Sequence, residues 1–158
     1  MSRHSIDGAR IAGIATCVPA RIVDNLADDL GFDATEVRKV VQMAGVHTRH
    51  VVDDHTTAAD LCLGAARQLM AKLGWSPESI TGLLFVTQSP DYLLPSTSCV
   101  VHHWLGLSDE CAAFDIGLGC SGYPYGLYAA AAMLKGGGHQ RILLLHGETP
   151  SQFVADDD

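Results

Sequence analysis

Cys120 lies in the run Phe114-Asp115-Ile116-Gly117-Leu118-Gly119-Cys120-Ser121-Gly122-Tyr123-Pro124-Tyr125-Gly126-Leu127. An apolar, strand-like lead-in feeds a glycine-flanked cysteine, and a long segment of small residues follows. This pattern predicts a thiol at the N-terminal end of a helix. Unpaired backbone N–H groups and the helix dipole there favour the anionic sulfur, the form that attacks carbonyls. Gly119 and Gly122 would let another molecule approach the backbone closely. Pro124 is tolerated only in a first helical turn, so the helix must start near Cys120. The competing reading is a buried structural cysteine, because free cysteine is among the most buried residue types. The strand-to-helix junction favours chemistry.

Other clusters carry less. Cys99, His102 and His103 are spaced for one helix face, but a zinc site needs more ligands than these and none is near in sequence, so no metal is expected. His146-Gly147-Glu148 follows an apolar run and reads more simply as a strand-end turn than as acid–base machinery. Asp156 to Asp158 reads as a solvated terminus. Tyr123 and Tyr125 are expected in the core or on a pocket wall.

The elements that must position Cys120 follow from periodicity and punctuation. Arg10 to Val18 reads as a buried strand stopped by Pro19, and Asn25 as the cap of a short helix to Leu30. Ala34 to Ala44 is helical by the spacing of Val37, Val40, Val41 and Ala44, with Gly45 as its stop. His47 to Val52 alternates weakly and predicts a short strand. Thr57 to Leu73 is the clearest amphipathic helix, with Ala58, Leu61, Cys62, Ala65, Leu69 and Leu73 among its apolar three- and four-residue steps. Thr81 to Thr87 is a short apolar run, as expected of a strand buried on both faces. Thr97 to Leu105 predicts a helix closed by Gly106, Cys111 to Leu118 a strand, Cys120 to Leu134 a helix, and Arg141 to Leu145 a further buried strand. Short buried strands alternating with helices imply an α/β fold with a mixed, mostly parallel sheet.

The helix after Cys120 has no charged residue before Lys135. A helix that is apolar all round is buried all round, so it is expected to be a central helix covered on both sides. One sheet of this size covers one side; a second domain or subunit should cover the other. The chain ends at Asp156-Asp157-Asp158 without a closing element, which predicts that residues 1–158 are half of a protein.

Bulk properties narrow the function classes. The 158 residues, 47% hydrophobic and 18% charged, suffice for one domain with a real core. A net charge of −8, from 10 basic against 18 acidic residues, argues against nucleic-acid binding and against adhesion to an anionic membrane. The uncharged stretch from Ile116 to Leu134 is too rich in glycine and tyrosine, with Pro124 inside it, to be a membrane span. Met1 to Arg10 lacks the apolar core of a secretion signal. Five cysteines without paired spacing suit reduced thiols, so a cytoplasmic setting is expected.

With these residues in place, the chain resembles the N-terminal half of a ketoacyl-[acyl carrier protein] synthase III, in the thiolase-like superfamily. The similarity runs from about Arg10 to the last residue. It rests on Gly45-Val46-His47-Thr48-Arg49-His50, on Pro95-Ser96-Thr97-Ser98-Cys99, and above all on Phe114-Asp115 through Cys120-Ser121-Gly122-Tyr123. The resemblance implies a thiolase-like fold of two similar halves, with central helices sandwiched between two sheets and a βαβαβ-type arrangement in each half. It implies that Cys120 takes an acyl group from a coenzyme A or carrier-protein thioester, which is a substrate and not a cofactor. A malonyl thioester then loses CO2 and attacks the acyl group. A backbone N–H at the cysteine forms part of the family's oxyanion hole. The family's histidine and asparagine lie in its second half and are absent from this sequence.

The resemblance also implies a homodimer, with the Leu93-Leu94-Pro95 loop crossing its interface. Leu94 stands where the family often has a phenylalanine that reaches into the partner's acyl pocket, and Tyr123 is the other expected pocket residue. Lys39 and Met43 replace a tryptophan and an arginine that often grip the nucleotide. These departures suit a specialised paralogue. Two further readings stand beside the condensing enzyme: a non-catalytic thiolase-like subunit or fragment, and an acyl-cysteine enzyme whose acceptor is an amine or an alcohol.

Overall fold

A computed structural model describes residues 6–27 and 31–153. The chain divides into two compact units. The larger comprises the described residues up to Cys17 together with Ala58–Glu148; the smaller comprises Val18–Thr57 and the described residues from Thr149 onward.

The smaller unit holds an antiparallel ribbon of β1 (Ile22–Asp24) and β2 (Thr48–His50), with α1 (Ala34–Ala44) between them in sequence. Asp33 caps α1, its Oδ1 accepting from the N–H groups of Thr35 at 2.9 Å and Glu36 at 3.2 Å. Gly45 closes α1 at φ 70°, the left-handed conformation its side-chain-free backbone adopts without strain. The expected cap at Asn25 is corrected. Asp24 turns the chain instead, its Oδ1 accepting from Leu26 and Ala27 at 2.9 and 3.2 Å. Asn25 is buried; it donates to the Val46 carbonyl at 3.0 Å and accepts from Arg49. Its amide ties the ribbon together, a long-range task that local pattern does not encode. The rest of that expected helix, through Leu30, reaches beyond the described residues.

The larger unit is the α/β body. Its strands are β3 (Gly82–Val86), β4 (Ala112–Ile116) and β5 (Ile142–His146), and its helices are α2 (Ala58–Leu73), α3 (Thr97–Leu105) and α4 (Gly122–Gly136). The sheet order is β4-β3-β5, with Leu84 opposite both Phe114 and Leu144. Among the described residues both pairings of this sheet are parallel, because a helix follows β3 and β4 and returns the chain to the same end before the next strand. The antiparallel pairing lies in the separate ribbon.

Side chains alternate across the sheet. Leu83, Phe85, Leu143 and Leu145 join Ala59, Cys62, Ala66, Met70, Val101 and Leu105 in the main core against α2 and α3. On the other face, α4 packs on β3 and β5. All five residues of β3 are buried, as its unbroken apolar run predicts.

Two expectations are modified. Arg10 to Val18 forms no strand, and Ile11 and Ile14 stand exposed. This segment shares with α2, α4 and β5 the wall of a cavity of about 570 Å³, lined by every residue of β5. Among the described residues no strand pairs with the outer edge of β5, and extended backbone becomes a strand only through a partner's N–H and C=O groups. The second concerns α4. Among the described residues one side of it is covered: Gly122 and Gly126 are buried against the sheet, while Tyr123, Tyr125 and Tyr128 are at least half exposed. Burial on both sides would need a covering element beyond those described.

Candidate functional site

Cys120 lies between the carboxyl end of β4 and the start of α4. The chain leaves β4 at Ile116, turns through Gly117-Leu118-Gly119, presents Cys120, and enters α4 at Gly122. The N–H of Leu118 donates to the Ile116 carbonyl at 3.0 Å, and that of Gly122 to the Gly119 carbonyl at 2.7 Å. These two bonds fold the segment that presents the cysteine into a tight loop between β4 and α4. Cys120 is exposed. Its backbone N–H donates to no protein group among the described residues. An exposed thiol beside a free N–H at a helix start can attack a carbonyl and stabilise the resulting oxyanion.

The glycines around the thiol make room for the protein's own side chains. A Cβ at Gly119 would overlap the carboxamide of Gln88, and one at Gly122 would overlap Cγ1 of Val86. A Cβ at Gly126, one turn on, would lie 2.9 Å from Leu144 Cδ1 and 3.1 Å from both Val86 Cγ2 and His146 Cε1. The close approach is made by the protein itself: α4 sits directly on β3 and β5, which fixes the height of Cys120. Helix spacing of glycines every four residues signals such contact, although a single sequence does not say whether a ligand or a strand fills the space.

Asp115, five residues before the cysteine, accepts from the N–H groups of Thr97 and Ser98, each at 2.8 Å. Both residues are fully buried. The carboxylate of β4 therefore satisfies two N–H groups at the start of α3, where Ser96 supplies no side-chain cap. Asp115 holds α3 to β4 and is a structural partner of the site.

The expected pocket residues separate. Tyr123 lines the cavity beside β5, and its ring stacks obliquely on His146 at 5.4 Å between centroids. Leu94 does not line that cavity; it is 87% exposed in the loop that follows β3. Cys120 does not line the cavity either, so that space is a gap at the edge of the sheet. His146 is held below the usual imidazole range by burial. Among the described residues no group of three or more His, Cys, Asp or Glu side chains is placed to hold a metal, and no helix is long and apolar enough to cross a membrane. Ser96 Oγ lies 3.1 Å from Cys99 Sγ, and His102 Nε2 lies 3.0 Å from the Ser108 carbonyl, so both are engaged in local hydrogen bonds.

The remaining thiols differ from Cys120 in access. Cys62 is buried at the centre of the core, and desolvation, reinforced by the carboxylates of Asp91 and Glu148, pushes its pKa up to about 12. Burial also raises the Cys111 thiol. Iodoacetamide at pH 8 is therefore expected to label Cys120 and to leave Cys62 and Cys111 unmodified, as read by peptide mapping. The sign for stability follows. Above pH 9 the unfolded chain ionises Cys62 while the folded chain keeps it protonated, so this residue's contribution falls as pH rises from about 9 to about 12. Labelling of Cys62 in the folded protein would contradict its placement in the core.

Comparison with known proteins adds a family context. The family described as 3-oxoacyl-[acyl-carrier-protein (ACP)] synthase III matches residues 114–158, the segment that contains Cys120. A Campylobacter jejuni protein, provisionally named a 3-oxoacyl-[acyl-carrier-protein] synthase 3, is 38% identical over 151 residues, covering 94% of this chain and 42% of the relative. The crystal structure of a 3-oxoacyl-(acyl-carrier protein) synthase from Burkholderia xenovorans LB400 superposes with a TM-score of 0.91 at 44% identity, over 97% of this chain and 44% of that one. AbyA1, a tetronic acid condensing enzyme, superposes with a TM-score of 0.80 at 31% identity, over 91% of this chain and 45% of that one. The chain spans a little under half the length of these relatives.

Proposed function

Because this chain belongs to the 3-oxoacyl-[acyl-carrier-protein] synthase III family, we propose that it is the nucleophile-bearing, N-terminal half of an acyl-transferring condensing enzyme. The observation that carries the reading is the exposed Cys120 at the strand-to-helix junction, with its backbone N–H unpaired among the described residues. In the loading step the Cys120 sulfur attacks the carbonyl carbon of an acyl thioester. The tetrahedral oxyanion is held by the Cys120 N–H. The bond to the departing thiol then breaks, and that thiol carries away the proton from Cys120. In the second step a malonyl thioester loses CO2, and its carbanion attacks the acyl carbon and releases Cys120. Substrates are acyl-CoA or acyl-carrier-protein thioesters and a malonyl thioester. Five free cysteines suit a reducing, cytoplasmic setting.

Three observations support a partnered state, as a homodimer completed by a second half. Leu93 and Leu94 are almost wholly exposed, Phe114 on edge strand β4 is 41% exposed, and α4 is covered on one side. Monomers rarely leave such apolar surface in contact with water. The partners of the cysteine in decarboxylation then come from the second half.

The test is an assay of the 158-residue chain beside the complete enzyme, with an acyl-CoA and malonyl carrier protein. The complete enzyme is expected to release a β-ketoacyl product and CO2. The 158-residue chain is expected to be slower by a factor of about 100 or more, because it lacks the acid–base partners. Condensation by the short chain at the full rate would refute the division of labour, and an acyl adduct on any other residue would refute the assignment of Cys120.

A further inference from the structure

Glu148 follows β5 by two residues, beyond Gly147, and its carboxylate reaches across to the end of β3. One oxygen accepts from the backbone N–H of Gln88 at 2.7 Å and the other from the Ser89 hydroxyl at 2.8 Å. Thr87 braces the same turn: its Oγ1 accepts from the Ser89 N–H at 2.9 Å, and both residues are buried. The turn therefore has fixed geometry, with a charge-assisted hydrogen bond at each of two adjacent residues. Gln88 projects from it onto Gly119, so closely that a Cβ there would overlap the carboxamide. Gly119 directly precedes Cys120. An unbroken line of contacts thus runs from Glu148 through the 87–89 turn and Gln88 to the backbone that presents the thiol.

We propose that Glu148 is a positioning residue for the Cys120 loop, acting through Gln88 to hold the Cys120 N–H where the oxyanion develops. This rests on the reading of Cys120 as the acyl acceptor. A donor displaced by about 1 Å can cost on the order of a hundredfold in rate, and loss of an oxyanion donor about 100- to 1,000-fold. Partial loosening of the turn is expected to fall at or below the lower of these.

The experiment compares two reactions of the same sulfur in the complete enzyme. Acylation by acetyl-CoA, butyryl-CoA and octanoyl-CoA, followed by intact mass, passes through an oxyanion. Alkylation by iodoacetamide forms an S–C bond and expels iodide without one. Glu148→Ala is expected to slow acylation at least tenfold while alkylation stays within about twofold of wild type. Glu148→Gln keeps an acceptor for the Gln88 N–H and a polar partner for Ser89, so it should recover most of the acylation rate. Wild-type acylation by Glu148→Ala would overturn the proposal. So would an equal fall in both reactions, which marks general damage to the loop. If Glu148→Ala does not fold, Ser89→Ala severs one of the two bonds and must show the same split, or the proposal fails. Cys120→Ala run in parallel separates the two ideas: an acyl adduct on that variant overturns the nucleophile assignment, whatever Glu148 does.

Discussion

Cys120→Ala is expected to abolish the covalent acyl adduct and to lower turnover of the complete enzyme by about 10⁴-fold or more, while leaving the fold intact. Removing the nucleophile of a covalent mechanism forfeits the intermediate altogether, and nucleophile deletions in other enzymes cost up to about 10⁶ in kcat. The side chain is exposed, so truncation removes little packing, and the stability change should stay within about 0.5 kcal/mol. That separation is the strength of the test: activity falls by orders of magnitude while the melting temperature barely moves. Substitution of the other exposed thiols, Cys17 and Cys99, supplies the contrast. Cys99 lies on α3 beside Ser96, and Cys17 lies against Gly64 of α2; neither sits at a strand-to-helix junction. Both variants should retain the adduct. A Cys120→Ala protein that still takes up acyl mass would place the chemistry elsewhere.

The sequence made the site legible where local chemistry decides geometry. Pro124 bounds the start of α4, Gly45 and Gly106 close α1 and α3 in the left-handed conformation, and the apolar run of β3 announces a central strand. What stayed hidden depends on contacts distant in sequence. Asp115 bonds to residues 17 and 18 positions earlier, and Glu148 to residues 59 and 60 positions earlier. Neither carboxylate carries a mark that distinguishes a brace from a solvated charge. The misassigned strand at Arg10 to Val18 has the same origin. Its composition suits a strand, yet pairing is supplied by a neighbour, and among the described residues the facing edge of β5 pairs with none. The glycines of the Cys120 segment are legible as points of close approach, but their occupants within the protein are not. Their missing Cβ atoms leave room for Gln88 and Val86, which no local pattern connects to them.

Gly122→Ala tests that last point, and two opposing effects set its sign. Alanine favours helix over glycine by up to about 1 kcal/mol in a helix interior, and by less at a first residue such as this. Against it stands the overlap with Val86 Cγ1. Val86 is 2% exposed on the central strand, and its branched side chain has few rotamers into which to retreat. Overpacking of this kind costs about 1–3 kcal/mol, so the clash wins. The melting temperature is expected to fall by roughly 2–8 °C for a loss of 1–2 kcal/mol in a chain of this size. The larger effect is on function. The start of α4 must lift away from β3, and Cys120, two residues earlier, moves with it. Acyl transfer is expected to fall by about tenfold to a hundredfold, the scale set by ångström-level misplacement. Gly136→Ala at the other end of α4 is the control. A Cβ there meets nothing within 4 Å, so that variant should be neutral or slightly stabilised, with full activity. If Gly122→Ala matched it in both melting temperature and acyl transfer, the close seating of α4 on β3 would not be what fixes the nucleophile.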